Sequence, residues 1–412
     1  MSDQPSDETV DVYRENFKYF KTLSKSPTSL LGVNNHNGKE TINLCNGDVN
    51  DVKWSTDILL PYPNNDQPPV TNQEDSLLRR EISYNSQCKC YGMWGLRSPK
   101  EWQVAELTFP KGLIVIKNPF TPIGQRYWIS RTLLDFPHHV DYITNMDNLN
   151  RLHKIKEGKP VNKLADFKLD VCDRNFYSKL RWVTFGYHHD WNTKVYSEER
   201  RSKFPEDLAD MVGYISQILG FSNFKAEAAI ANYYHMDSTL SGHVDRSEVN
   251  QGAPLFSLSY GQSAIFLIGG KTKNERPQPV LLQSGDIAIM SGESRLSYHG
   301  VPKILPASSE TWNMNDVTYP KPESPDRQDS HKRIKLYDAC NTVTVDSTSP
   351  LSPYEHDCEH FKTTINDQSV LCRLQNMKWT PFLQNYISKS RINLNIRQVL
   401  FPGQISLVSE FE

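Results

Sequence analysis

The stretch YYHMDSTLSGHVDRSE, from Tyr233 to Glu248, ends one strand-like run and reopens after tight-turn chemistry at Ser241-Gly242. It then places His243 and Asp245 one residue apart, followed by the charged Arg246 and Glu248. In extended backbone, side chains two apart share a face. His243 and Asp245 therefore aim together at one point, with Val244 turned away. A third ligand would complete a facial set, and two histidines with one carboxylate suit a non-haem Fe(II) site with open positions. That ligand should come from a later strand of the same sheet. His299, in SRLSYHGVPKI, is the best-placed candidate, because it follows the strand around GDIAIMSG. His235 and the His188-His189 pair compete, but none lies at a later strand end. A lone H-x-D more often marks a solvated turn, so the surrounding segments have to decide.

From about residue 224 the hydrophobic period is that of strands. KAEAAIANYY, PLFSLSYG, SAIFLIGG, PVLLQ and DIAIMSG are short, apolar and separated by turn residues, which predicts an all-β sandwich or barrel. GLIVIKNPF adds a short strand upstream. RYWISRTLLDF and FPEDLADMVGYISQILGF read as amphipathic helices, the second with Pro205 in its first turn and Gly220 as its stop. The last strand, in SRINLNIRQVL, alternates two kinds of residue. Ile392, Leu394 and Ile396 form an apolar face, while Arg391, Asn393, Asn395 and Arg397 form a polar one. Such a strand either lies at an edge with a solvated face or lines a cavity. In a cavity, guanidinium forks match the carboxylates of a small diacid. Asn232 and Tyr234 alternate with Tyr233 in the same way, and Tyr234 could hydrogen-bond that diacid.

The chain has 412 residues and a formal net charge of −2, which argues against a constitutively basic nucleic-acid coat without excluding a local basic groove. Seven scattered cysteines make no disulfide framework and point to a reducing compartment. Cys88-x-Cys90 is too close for the usual zinc pair. No apolar run approaches the roughly 20 residues of a membrane helix. The acidic, polar N-terminus has neither a secretory nor a mitochondrial leader pattern. An intracellular protein without membrane association is expected. The organisation read from composition has four parts: a poorly defined N-terminal arm (1–105), an extension with helices (106–223), a β domain (224–305 and 376–401) and a flexible insertion (306–375).

Taken together, NYYHMDSTLSGHVDRSE, SRLSYHG and RINLNIRQV resemble the AlkB family of Fe(II)- and 2-oxoglutarate-dependent nucleic-acid dioxygenases. LRWVTFGYHHDWNTKVY looks most like the eukaryotic AlkB homologue 1 branch. The resemblance covers roughly residues 112–302 and 378–400. It implies a mainly β fold with flanking helices, a double-stranded β-helix (jelly-roll, cupin-like) core and an N-terminal helical and lid extension. It also implies Fe(II), 2-oxoglutarate and O2 as cofactors, with His243, Asp245 and His299 as iron ligands. Arg391 matches the arginine that pairs with the distal carboxylate of 2-oxoglutarate, helped by Tyr234. Asn232, Asn393 and Arg397 match the other cofactor contacts. Trp182 and Tyr187-His188-His189 fall in the family's nucleotide-recognition lid, where aromatic faces stack an extruded base. Lys273 stands where the bacterial member has an arginine contacting nucleic acid, and Ser247 where it has an aspartate near the base.

The activity so implied is oxidative demethylation or oxidation of methylated bases by a monomer. The expected substrates are tRNA first (N1-methyladenosine, 5-methylcytosine), with DNA N6-methyladenine second, in the nucleus, cytoplasm or mitochondrion. Rival readings are a protein hydroxylase or histone demethylase of the same cofactor class, an abasic-site lyase and a non-catalytic nucleic-acid-binding module.

Overall fold

The computed structural model describes residues 11–23, 77–80, 90–147, 174–314, 373–374 and 376–407. In chain order its strands are β1 (Leu77–Arg79), β2 (Gln103–Leu107), β3 (Leu113–Lys117), β4 (Ile143–Thr144), β5 (Trp182–Gly186), β6 (Ala228–His235), β7 (Leu240–His243), β8 (Leu255–Gly261), β9 (Ser263–Ile268), β10 (Gln278–Leu282), β11 (Ile287–Met290), β12 (His299–Leu305) and β13 (Ser390–Arg397). The helices are α1 (Val12–Thr22), α2 (Pro122–Ser130), α3 (Arg174–Lys179), α4 (Glu206–Ile218) and α5 (Pro381–Ile387).

The strands form two sheets with antiparallel pairing throughout. The larger runs β1-β2-β3-β11-β8-β13-β6-β5-β4 and the smaller β10-β9-β12-β7. Between them lies an apolar core to which the larger sheet gives Leu113, Val115, Tyr234, Leu255, Ala288 and Met290. The smaller sheet gives Ala264, Phe266, Ile268, Val280, Leu282, Val301 and Ile304. This is the double-stranded β-helix that the sequence implied.

Alternation in two central strands explains both the fold and its cavity. In β8, Phe256, Leu258 and Tyr260 face outward, and so do Ile392, Leu394 and Ile396 of β13. There they join one core with Trp128 of α2 and Leu208, Met211 and Ile215 of α4. Burying each such aliphatic side chain contributes about 1.5–3 kcal/mol. The alternate residues point between the sheets, where Arg391, Asn393 and Asn395 pair in register with Gly261, Ser259 and Ser257. Long polar side chains thus stand opposite very small ones, and room is left between the sheets. β13 lies in mid-sheet between β8 and β6, so the edge-strand reading of its polar face does not hold.

Several structural features depart from the sequence expectation. β3 and β5, within 106–223, and β2, which straddles the expected 105/106 boundary, pair directly into the larger sheet, so neither that boundary nor residue 224 marks a structural one. Pro205 is the N-cap of α4 rather than part of its first turn. The N-terminal arm contains α1, with Asp11 capping the Arg14 N–H at 2.8 Å and Tyr13 and Phe20 buried. Within the expected insertion, Trp312 is fully buried; residues 315–372 lie outside the described residues.

Candidate metal and cosubstrate site

β7 ends at His243, and the chain turns immediately into the loop holding Asp245. His299 opens β12, directly opposite His243 in the register. The three ligand atoms come within 4.8 Å of one another. Asp245 oxygens lie 3.6 Å from His243 Nε2 and 3.8 Å from His299 Nε2. Each imidazole is oriented from behind, with His243 Nδ1 at 2.9 Å from the Ser241 carbonyl and His299 Nδ1 at 3.1 Å from that of Ser297. A carbonyl only accepts, so each Nδ1 carries the proton and each Nε2 presents its lone pair to the site, as a metal ligand must. Burial, reinforced by His243, pushes His299 down to about 4, so it is neutral at physiological pH. Burial alone would raise Asp245, but the Arg397 guanidinium outweighs it and holds the carboxyl well below the usual carboxylate range. Two imidazoles with Nε2 turned to the site and an ionised carboxylate converging this way can hold a divalent ion.

Behind Asp245 is a charged network that the sequence did not reveal. Arg397 Nη2 donates to Asp245 Oδ2 at 2.7 Å, and its Nε lies 3.2 Å from Glu248 Oε1. Arg295 donates to Glu248 Oε2 at 2.7 Å and to the Asp245 backbone carbonyl at 2.6 Å. Tyr196 Oη donates to Glu248 Oε1 at 3.0 Å. Glu248 and Arg295 are both nearly inaccessible. Arg397 thus braces the acidic ligand. The sequence contained these residues (Glu248 closes HVDRSE), but burial of a charged pair is a tertiary fact that no spacing reports.

A cavity opens beside the triad. Tyr234, His243, His299, Arg391, Asn393, Asn395 and Ser257 line it, with Leu240, Leu255, Phe266, Leu282 and Met290 among its apolar walls. Arg391 donates to the carbonyls of Gln262 (3.1 Å) and Leu282 (3.3 Å) and to Ser259 Oγ (2.7 Å). Its buried Nε has no hydrogen-bond partner. Burial pushes Arg391 down to about 10, which Tyr234 and Asp286 offset only in part. A buried guanidinium with an unmet N–H is complementary to a carboxylate. Burial pushes the Tyr234 hydroxyl up to about 12, and the charges bearing on it are those of Arg391 and Asp245. Tyr234 is therefore placed to bridge the arginine and the triad. Asn393 donates to Ser257 Oγ at 2.8 Å. Asn232 pairs with Asn393 and Trp182 across β6 and shares their face. This donor set fits a metal together with a diacid.

The four residues expected to form the lid divide two and two. Tyr187 is 1% exposed and packs with Ala228, Val399 and Leu400, and His188 is 3% exposed with its ring held by Thr184 at 2.8 Å. Neither offers a face to a base. The register turns the chain at Gly186 (φ +74°), which sends both side chains inward. Trp182 and His189 remain partly open. Trp191, exposed and absent from the expectation, lies 5.4 Å from Trp182 and 4.7 Å from His189 between ring centroids. His189 lies 5.6 Å from Tyr196 between ring centroids, and Tyr196 hydrogen-bonds Glu248, so these rings border the charged network behind Asp245. Lys273 is tied elsewhere, 3.7 Å from Asp11 and over the Tyr298 ring.

Comparisons with known proteins agree with this geometry. The profile of the 2OG-Fe(II) oxygenase superfamily matches residues 112–397. The mouse (Mus musculus) nucleic acid dioxygenase ALKBH1 is 41% identical over 319 residues, spanning 75% of this chain and 70% of that one. The human (Homo sapiens) protein of the same name is 41% identical over 218 residues, 52% of this chain and 55% of that one. The tRNA demethylase abh1 of Schizosaccharomyces pombe is 44% identical over 214 residues, 49% of this chain and 71% of that one. The family implies Fe(II), 2-oxoglutarate and O2, and the chain has a His-Asp-His set able to hold the metal. The chain belongs to the 2OG-Fe(II) oxygenase superfamily and, within it, to the AlkB homologue 1 type.

Proposed function

We propose that this protein oxidatively demethylates or oxidises methylated nucleic-acid bases, acting first on methylated tRNA (N1-methyladenosine, 5-methylcytosine) and second on DNA N6-methyladenine. The single observation that carries the reading is the joining of the His243–Asp245–His299 set to a buried, unmet arginine in one cavity. The tRNA preference draws on the fission-yeast relative named a tRNA demethylase.

In this reading His243, Asp245 and His299 hold Fe(II). Arg391 and Tyr234 take the distal carboxylate of 2-oxoglutarate, and Asn232, Asn393 and Arg397 face its metal-proximal end. When bound, iron and 2-oxoglutarate supply oxidation of a methyl C–H bond by O2, coupled to decarboxylation of the cosubstrate. The chain's own residues place the reactants. Arg397 keeps Asp245 ionised and aimed, and the two backbone carbonyls fix both imidazole tautomers. The apolar walls exclude water. Trp182, Trp191 and His189 present aromatic faces on which an extruded base can stack. An N-methyl group hydroxylated there falls off as formaldehyde, whereas a methyl on carbon stays as an oxidised product. Intracellular location and a monomeric state belong to the same proposal.

The test is incubation of Fe(II)- and 2-oxoglutarate-supplied protein with N1-methyladenosine tRNA. Stoichiometric formaldehyde and succinate are expected, and neither should form with His299→Ala. Absence of both products with wild-type protein overturns the proposal.

A further inference from the structure

We propose that Tyr13 of α1 is a positioning residue for both metal-site imidazoles, a wedge seated on the glycines that adjoin them. The inference rests on the reading of His243 and His299 as ligands. Gly242 precedes His243 and Gly300 follows His299. Because strand side chains alternate, these glycines face outward where the histidines face the site. Tyr13 occupies the space they leave. A Cβ added to Gly242 would stand 2.4 Å from Tyr13 Cε1, one on Gly300 3.1 Å from Tyr13 Oη, and one on Gly269 3.2 Å from Tyr13 Cδ2.

The ring is held firmly in that seat. It is 3% exposed, its hydroxyl donates to the Leu267 carbonyl at 3.0 Å, and its backbone N–H donates to the Lys273 carbonyl at 2.9 Å. Phe20 and Leu23 anchor the helix on Ile265, Leu267, Leu281 and Leu305, and the Lys303 ammonium donates to the Leu23 carbonyl.

The site needs such a brace. β7 has four residues and lies at the edge of the smaller sheet. Among the described residues it pairs with β12 alone, and the register breaks between His299 and Val301. Short edge strands open at low free energy. Here an opening would separate the two imidazoles. Tyr13 spans the junction from its outer side, so a helix remote in sequence fixes the distance between ligands.

Titration of the full-length protein with Co(II), followed by its visible ligand-field absorption, tests this without turnover. Tyr13→Ala should weaken Co(II) binding about tenfold, in the range typical for residues that support a metal's ligands. Tyr13→Phe, which keeps the ring, should recover most of it. Phe17→Ala, on the same helix and packed on the same cluster, should lower Tm while leaving Co(II) affinity at the wild-type level. Wild-type affinity in Tyr13→Ala, or an equal loss in Phe17→Ala, overturns the wedge. If Tyr13→Ala does not fold, Tyr13→Leu replaces it, read by amide hydrogen exchange at His243: faster exchange supports the wedge, unchanged exchange overturns it. A wild-type protein that takes no Co(II) overturns the ligand reading itself, whereas binding that ignores Tyr13 overturns only this inference.

Discussion

Glu248 ties together three side chains of the network behind Asp245. Its two oxygens receive Arg295, Arg397 and Tyr196 in a nearly dry environment. Removing one charge from such a cluster leaves uncompensated guanidinium groups, which costs about 3–5 kcal/mol. Glu248→Gln should therefore lower urea-unfolding stability by roughly that much and weaken Co(II) binding, because Arg397 loses the partner that aims it at Asp245. Tyr196→Phe removes one hydrogen bond and should cost only about 1 kcal/mol. Two imidazoles set the acid limit. Burial, and then Arg200, lowers His188 to about 4, and burial with His243 brings His299 to the same value. Both lie below the ordinary histidine value of about 6.5. The native state keeps them neutral while the unfolded chain takes up protons first. Metal-free protein should hold its stability above about pH 6.5 and lose it as pH falls toward 4, with the depressed Asp245 carboxyl extending the loss below that. His188→Gln should flatten part of that slope in urea titrations across the range, and an unchanged slope would show that His188 is protonated in the folded state.

At the scale of elements, the β8–β9 corner and β13 decide whether the cavity exists. Gly261 adopts φ +82°, and a Cβ there would stand 2.4 Å from the Ser390 carbonyl oxygen and 2.5 Å from Ile387 Cδ1. Gly261→Ala should cost more than the roughly 1–3 kcal/mol of a strained backbone alone, since the β13 entry must also shift. Thermal unfolding measures the loss, and 2-oxoglutarate binding should weaken with it because Gly261 pairs with Arg391. These strands were readable in the sequence because one face of each is apolar and the other small or polar toward the cavity, so the two-residue period survives in RINLNIR and LFSLSYG. The triad was readable for the same reason: H-x-D is a same-face pair wherever the backbone is extended. β3 was readable as a strand from its apolar run, whereas β2 and β5 were not: each has only five residues, and Gln103 and Glu106 break the apolar pattern of β2. Helix α1 was missed although Asp11 stands at its cap and Tyr13, Phe17 and Phe20 follow helical spacing. A single eleven-residue helix amid a long polar stretch stands out little on composition. The inward turn of Tyr187 and His188 depended on tertiary packing against β6 and the segment after β13, which local sequence does not report.

For the whole molecule, charge and shape pull apart. A chain of net charge −2 carries no global attraction for nucleic acid, so contact must come from one local surface. Beside the triad that surface is aromatic more than basic. Trp191 is 39% exposed, with the Lys194 ammonium over its ring and Trp182 and His189 adjacent. Arg200 and Arg201, in the segment that follows, are engaged by Asp190 and by Glu198 and Tyr187. Stacking is nearly insensitive to salt, whereas each neutralised phosphate on single-stranded nucleic acid adds about 0.7 to the slope of log K against log salt. Binding that relies on two or three phosphates and two stacked rings should give a slope between about −1.4 and −2.1. Trp191→Ala should then weaken binding at every salt concentration, by the roughly 1–3 kcal/mol of a lost stacking face, and leave the slope unchanged. Fluorescence anisotropy with a methylated single-stranded RNA between low and physiological salt measures both quantities. A slope steeper than about −5 would require a basic track of many phosphate contacts and would move recognition away from the aromatic rim.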